Sequence, residues 1–436
     1  MVRALPHRLT MLSPRARLGG AMALGQLAGR GALALGLLLL VRELSREDFG
    51  NLALVLALVQ TAATVADAGF ARVLVRDVAR SGADKAAVVR RLLVLRAAAL
   101  LPVVAGAVLL LLVVPSPLTA GLAVLALVYL GGESLAYGFE NAAIGAERPW
   151  RFVTAQSLAA IALLGGLAAL VAADAVTLAR ALAILAIASA LKLLGHLVAW
   201  HGTLAAGPLK RPAPAREIYR QALPFLGLAV LATLYYRVGV IALHGVRGAE
   251  ETASYGAAVR VLDAVAIGAG IVYAAVSPTL SRVHAARPEA IWSLWLRMVR
   301  RAGAVVIPAA VLLAVGGPTI ARLLFGPEYE DSAGADLRVL APGAALMVLQ
   351  SLTAAVVFMA NEHRSVIWLT AVNVLACVAA SIACSFAFGS TGAALALTLS
   401  ELLSFVTFAL LIRRRYRRPP APVAPTGDQV RPATSL

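Results

Sequence analysis

Charge is scarce in this sequence, and acid is scarcer than base. Only 14% of the 436 residues are charged, with 22 Asp and Glu against 39 Lys and Arg. Soluble domains carry about 25% charged residues, so too little polar surface is present to face water on all sides. Cysteine is nearly absent: Cys377 and Cys384 stand seven residues apart on one apolar run. On a helix that is roughly 10 Å along the axis, beyond the reach of a disulfide, which leaves both as core residues. There is no phosphate-binding loop or other nucleotide motif, which excludes direct ATP drive. There is no cluster of metal ligands, and no cofactor is expected. Nucleic-acid binding is excluded although the formal net charge is +17, because the basic residues are scattered over connectors rather than gathered in a recognition motif.

Long apolar runs make up the rest. Hydrophobic residues are 61% of the chain, the mean hydropathy is +0.85, and runs of roughly 20 residues, enough to cross about 30 Å of hydrocarbon, recur throughout. They cover approximately 18–41, 50–70, 92–114, 120–142, 153–173, 178–200, 222–244, 253–278, 302–325, 337–360, 365–388 and 391–412. Lipid supplies no partner for a free backbone amide, so runs of this length without strict alternation are helices. The reading is an all-α integral membrane protein of about twelve transmembrane helices with short connectors, the longest of the odd-numbered ones, near Phe325 to Leu337, reading as about 14 residues.

The first run follows Arg3, Arg8, Arg15 and Arg17 as a signal peptide would, but it is too long and contains Arg30, so it is expected to be retained. Most Lys and Arg fall in the N-terminal segment, the even-numbered connectors and the tail, concentrated at Arg72 to Arg96, Lys210 to Arg220, Arg282 to Arg301 and Arg413 to Arg418. By the positive-inside rule both termini are then cytoplasmic, in a plasma or inner membrane. The organisation is a basic segment (1–17), a six-helix lobe (18–200), a cytoplasmic connector (201–221), a second six-helix lobe (222–412) and a basic, Pro-rich tail (413–436) that reads as disordered.

A weak internal repeat relates the lobes. Glu43-Leu-Ser-Arg-Glu-Asp-Phe-Gly50, opening the second span, has a counterpart in Glu250-Glu-Thr-Ala-Ser-Tyr-Gly256, opening the eighth. Six spans separate them, so both copies run in the same direction, implying a pseudo-two-fold axis along the membrane normal. Arg30 precedes Gly50 by about as much as Arg237 precedes Gly256, placing one arginine near mid-membrane in each lobe. Each costs roughly 2.5–3.5 kcal/mol on insertion scales, which calls for a wet cavity, an acidic partner or an anionic ligand. One reading has both guanidiniums gripping a phosphate-bearing substrate between the lobes. A second ties each to a carboxylate of its own lobe, Arg237 to Asp263, and Arg30 to Asp67 or Glu133, and a third has them snorkel to an interface. Further polar positions inside the spans are Glu140 (on the Glu133 face of the fourth span), Lys192, Arg260, Asp263 and Glu401. Asp67, Glu133, Glu140, Asp263 and Glu401 are candidates for structural pairing or for coupling to H+ or Na+, with Arg260 and Asp263 three residues apart.

The segments Leu44-Ser-Arg-Glu-Asp-Phe-Gly50, Ala66-Asp-Ala-Gly-Phe70, Leu223-Pro-Phe225 and Tyr255-Gly-Ala-Ala-Val-Arg260, followed by Phe325-Gly-Pro-Glu-Tyr329, Gly389-Ser-Thr-Gly-Ala-Ala394 and Ser400-Glu401, resemble the polysaccharide-transporter branch of the multidrug/oligosaccharidyl-lipid/polysaccharide exporter superfamily, whose best-known members are the Wzx-type flippases. The resemblance covers almost the whole chain. It implies a non-enzymatic, two-lobed transporter that moves a polyprenyl-diphosphate-linked oligosaccharide from the cytoplasmic to the outer leaflet by alternating access, with Arg30 and Arg237 at the diphosphate. Membrane lipids, and glycan polymerase and export machinery, are the partners it implies. Such sequences often carry an acid two positions after the second arginine, where this chain has Gly239. The alternatives are a flippase for a lipid-linked peptidoglycan precursor, a multidrug exporter, and, from another class, a membrane-embedded polysaccharide polymerase or ligase. Outward transfer of a negative charge gains about 2.3 kcal/mol per 100 mV, so the membrane potential alone can help an anionic diphosphate.

Overall fold

A computed structural model of the chain describes residues 14–113, 119–205, 207, 214–359 and 363–416. Arg3, Arg8, Lys210 and Arg211 of the basic segments, and the Pro-rich tail from residue 417 on, lie outside the described residues. Within them the chain is helical nearly throughout and contains no strand. The first lobe comprises α1 (Pro14–Glu43), α2 (Arg46–Asp67), the short α3 (Phe70–Arg80), α4 (Lys85–Val113), α5 (Ala120–Gly145), α6 (Pro149–Ala172) and α7 (Leu178–Leu204). The second comprises α8 (Ala215–Arg247), α9 (Ala249–Ala286), α10 (Ile291–Phe325), α11 (Ser332–Met359) and α12 (His363–Tyr416).

Eleven of these are long and apolar enough to cross a membrane. The last holds two crossings, because Gly389 (φ 61°, ψ −136°) breaks α12 into two limbs, in agreement with the twelve spans read from hydropathy. A break in lipid must satisfy the backbone groups it frees. Here Arg247 donates to the carbonyls of Ser385 and Phe386 at the end of the first limb, and the Glu251 carboxylate accepts from the Ser390 amide, 2.8 Å away, at the start of the second. Large apolar side chains such as Ile161, Leu312 and Val315 are more than 70% exposed on the outside of the bundle, an arrangement that suits hydrocarbon and not water.

Local chemistry sets the turns. Ser45 caps α2, its hydroxyl accepting from the Asp48 amide at 3.1 Å, with Glu47 and Asp48 in the first turn, where the helix dipole favours acid. At the other end of α2, Ala68 and Gly69 both take positive φ. A Cβ at Gly69 would strike the Ala222 carbonyl of α8, so only glycine fits there. Asp67 then opens α3 by accepting from the Ala71 amide at 3.1 Å.

The repeat read from the sequence is a contact between the lobes. Gly50 on α2 lies against the backbone of Ala249 at the start of α9, while Gly256 on α9 lies against Ala53 of α2 at 3.0 Å from an added Cβ. Each lobe presents its copy of the small-residue motif to the other, and close backbone approach over small residues is how helices associate in lipid.

Two details differ from the hydropathy reading. Residues 326–331 are all that separate α10 from α11, so that connector is shorter than it appears in the sequence, because the helices run past the apolar runs that mark them. The Arg72 to Arg96 stretch is not one basic connector: it contains the separate helix α3, whose apolar face (Phe70, Val73, Leu74, Val78) is buried, and it ends well inside α4.

Candidate functional site: the cavity between the lobes

Helices α1, α2, α5, α6 and α7 of the first lobe meet α8 and α9 of the second around a cavity of about 1140 Å³. It runs from mid-bundle to α3, where Arg72 and Arg76 line it and Arg76 donates to the Gln221 side-chain carbonyl of α8 at 2.7 Å. The opposite end, where α10 meets α11, is closed. There the Gly50–Ala249 approach is reinforced by Arg42, which donates to the Leu324 carbonyl at 3.0 Å and to the Leu323 carbonyl, capping α10 from the other lobe. Arg46 donates to the Ser254 hydroxyl at 2.6 Å and to the Glu328 carbonyl at 3.3 Å, its guanidinium 5.4 Å from the centre of the Tyr329 ring.

Among the described residues, seven cationic ones line the cavity against four carboxylates, Asp67, Glu133, Glu140 and Asp263. The excess suits an anion. On the first-lobe wall, Arg96 donates from Nε to Asp67 at 2.9 Å and from Nη1 to the Ser134 carbonyl; only 2% of its side chain is exposed. Lys192 donates to Glu133 at 2.8 Å and lies 3.2 Å from Glu140. Gln156 donates to the same Glu140 oxygen, at 2.8 Å. Glu133 and Glu140, two turns apart on α5, therefore converge on one ammonium from α7.

On the second-lobe wall, Asp263 is shared. Arg237 reaches one of its oxygens at 3.2 Å and Arg260 the other at 3.0 Å, while Arg260 also donates to the Gly256 carbonyl at 3.1 Å. Two guanidiniums over one carboxylate leave one positive charge uncompensated. Gly239, where an acid beside Arg237 was the alternative, admits Tyr255 instead: a Cβ there would lie 2.6 Å from the Tyr255 hydroxyl.

Arg30 is different in kind. It lines the same cavity and, among the described residues, makes neither an ion pair nor a hydrogen bond. Its two sequence-level partners are engaged elsewhere, Asp67 with Arg96 and Glu133 with Lys192. Glu401 is not part of the cavity wall. It is buried in the second lobe beside Tyr235 and Tyr236.

Residues 19–284, more than half of the chain, match the family described as polysaccharide biosynthesis protein. The chain belongs to that family. None of the curated proteins matches this polysaccharide biosynthesis protein, but its fold is that of transporters of the MOP superfamily. A multidrug resistance MATE family transporter in an inward-facing conformation superposes with a TM-score of 0.68 at 16% identity, over 91% of this chain and 94% of that one. The lipid II flippase MurJ, in an inward closed conformation, gives 0.68 at 13% identity over 90% and 87%. A MOP superfamily transporter from Pyrococcus furiosus, described by the reverse polarity of its binding pocket, gives 0.62 at 15% identity over 93% and 95%. Family and fold together make this polysaccharide biosynthesis protein a multi-pass membrane protein with the fold of MOP superfamily transporters.

Three contributors to the site escaped the sequence reading. Arg96 lies inside the expected span 92–114, yet was grouped with connector charges; its position within an apolar run is the signal that would have identified it as a partner for Asp67. Gln156 and Tyr137 carry no such mark, because an uncharged polar side chain in a span does not reveal which way it faces.

Proposed function

We propose that the protein flips a polyprenyl-diphosphate-linked oligosaccharide, an O-antigen, capsule or exopolysaccharide repeat unit, from the cytoplasmic to the outer leaflet by alternating access. The observation that carries this reading is the unpaired Arg30 in a cavity it shares with Arg237 and Arg260, two cations set against one carboxylate. A guanidinium held in that setting is matched to phosphate oxygens. The positive-inside rule assigns the α3 end to the cytoplasm, so the cavity reaches toward the leaflet on which lipid-linked glycans are assembled, while the α10–α11 end is tied shut. The same cationic wall repels the organic cations of a multidrug exporter.

Of the five candidate coupling carboxylates, Asp67, Glu133, Glu140 and Asp263 each hold a cation. Among the described residues Glu401 has none, which makes it the group whose charge H+ or Na+ would neutralise. The flippase reading is tested in cells lacking the protein and complemented with wild type, Arg30→Ala or Arg237→Ala at equal membrane abundance. Lipid-linked oligosaccharide is expected to build up on the cytoplasmic leaflet in the deletion, to clear with wild type, and to persist with either variant. Normal export in the deletion, or full rescue by both variants, overturns it.

A further inference from the structure

The walls of the cavity are not alike. The second lobe contributes Ala229, Ala232, Val259, Leu262, Ala266 and Ile267 on α8 and α9, an apolar surface interrupted by the Arg237–Asp263–Arg260 group. The first lobe contributes a polar bay around Lys192. An amphipathic substrate whose diphosphate sits at Arg30 and Arg237 buries like against like with its sugars in the bay and its isoprene units on the apolar residues of the wall, away from the bay.

The bay has its own electrostatics. Lys192 is one positive charge set between two carboxylates, and the adjoining Asp67–Arg96 pair is neutral, so the bay carries one excess negative charge. That charge is accessible, because 34% of the Glu133 side chain is open against 8% for Glu140. Arg30 offers no compensation once it holds phosphate. Beside the carboxylates, Tyr137 is 44% exposed, with the Arg96 guanidinium 5.5 Å from its ring centre and the rest of the ring left for the C–H face of a sugar. Asn141, whose amide nitrogen donates to the Tyr137 carbonyl at 2.7 Å, also lines the cavity.

Resting on the flippase reading, we propose that this first-lobe bay binds the sugar next to the diphosphate and selects neutral or amino sugars over acidic ones. Carboxylate oxygens accept from sugar hydroxyls and amide N–H groups, whereas a uronic acid would bring a second carboxylate against Glu133, and juxtaposed like charges reject a partner.

The test uses the full chain in lipid nanodiscs and three probes: farnesyl diphosphate, the same lipid carrying N-acetylglucosamine, and the same lipid carrying glucuronic acid. Wild type is expected to hold the N-acetylglucosamine probe about tenfold more tightly than the glucuronic acid probe, equivalent to about 1.4 kcal/mol, and Glu133→Gln to cut that ratio to about twofold. Because the ratio is taken on one preparation, a general loss of folded protein cancels. Should Glu133→Gln not survive purification, Asn141→Ala is expected to weaken the N-acetylglucosamine probe more than farnesyl diphosphate, and equal weakening of the two counts against the bay. Failure of farnesyl diphosphate to bind wild type would bring down the diphosphate reading and this inference with it. Binding of that lipid with no preference between the two sugars, or the same preference in Glu133→Gln, would leave the diphosphate reading standing and overturn the bay alone.

Discussion

In the first lobe the buried charges face the cavity: Asp67 with Arg96, and Glu133 and Glu140 with Lys192, all line it. In the second lobe two buried carboxylates are turned away from it. Asp336 accepts from the hydroxyls of Ser390 and Thr391, each at 3.1 Å, near the closed end, and Glu401 lies beside Tyr235 and Tyr236. Among the described residues only the Arg237–Asp263–Arg260 group brings second-lobe charge to the cavity, and it does so at the seam. One helical plan thus carries two polar patterns. The contrast divides the polar groups: those of the first lobe line the cavity, whereas those of the second, the Arg237–Asp263–Arg260 group apart, tie its own helices and the breaks within them.

The comparison is broken most severely at Asp67. Removing its carboxylate by Asp67→Ala strands the Arg96 guanidinium, 2% exposed, and breaking a buried pair by deleting one partner costs about 3–5 kcal/mol. Loss of folded protein is expected, read as reduced membrane abundance and a lowered unfolding temperature in detergent. Glu401→Gln, an isosteric change in the second lobe, is expected to leave both near wild type; equal damage from the two would erase the distinction between the lobes.

The next effect falls on the seam. Gly50→Leu drives a side chain into the Ala249 backbone, and overpacking of this kind costs about 1–3 kcal/mol. Because Gly50 touches the other lobe, the strain is expected to part the lobes at the α10–α11 end rather than unfold either one. Cysteines placed at that end should then react faster with a membrane-impermeant thiol reagent, and unchanged labelling would show that the α2–α9 contact is not what closes the protein.

The smallest effect is expected from Thr64→Val. The Thr64 and Thr233 hydroxyls lie 3.0 Å apart across the seam, and a hydrogen bond between helices in lipid is worth about 0.6 kcal/mol. Transport by the variant should fall within about threefold of wild type; a complete loss would make that contact part of the ligand site rather than a weak tie between lobes.

Much of this architecture was legible beforehand, for reasons that can be named. Helix is the local answer to lipid, so apolar length alone predicts the spans, including the two limbs of α12 on either side of Gly389. The Gly50 and Gly256 motifs could be matched because close approach of backbones demands small residues wherever it occurs. Intramembrane cost singles out Arg30, Arg237, Lys192 and the carboxylates, since a charge in an apolar run is conspicuous. The partners were less accessible. Arg30 had two plausible carboxylates and pairs with neither, while Asp67 pairs with Arg96, a residue grouped with the connector charges.

The sequence by itself determined the helices, their number and the charges that must find company, because hydropathy and the cost of a buried charge are properties of local stretches. The tertiary structure alone decided which acid meets which base, that Asp263 is divided between two arginines, that Arg30 is left open to the cavity, and which end is closed. Ion pairing falls off over a few ångströms, and whether α7 or α1 comes within that distance of α5 depends on the packing order of helices, which no stretch of sequence encodes alone.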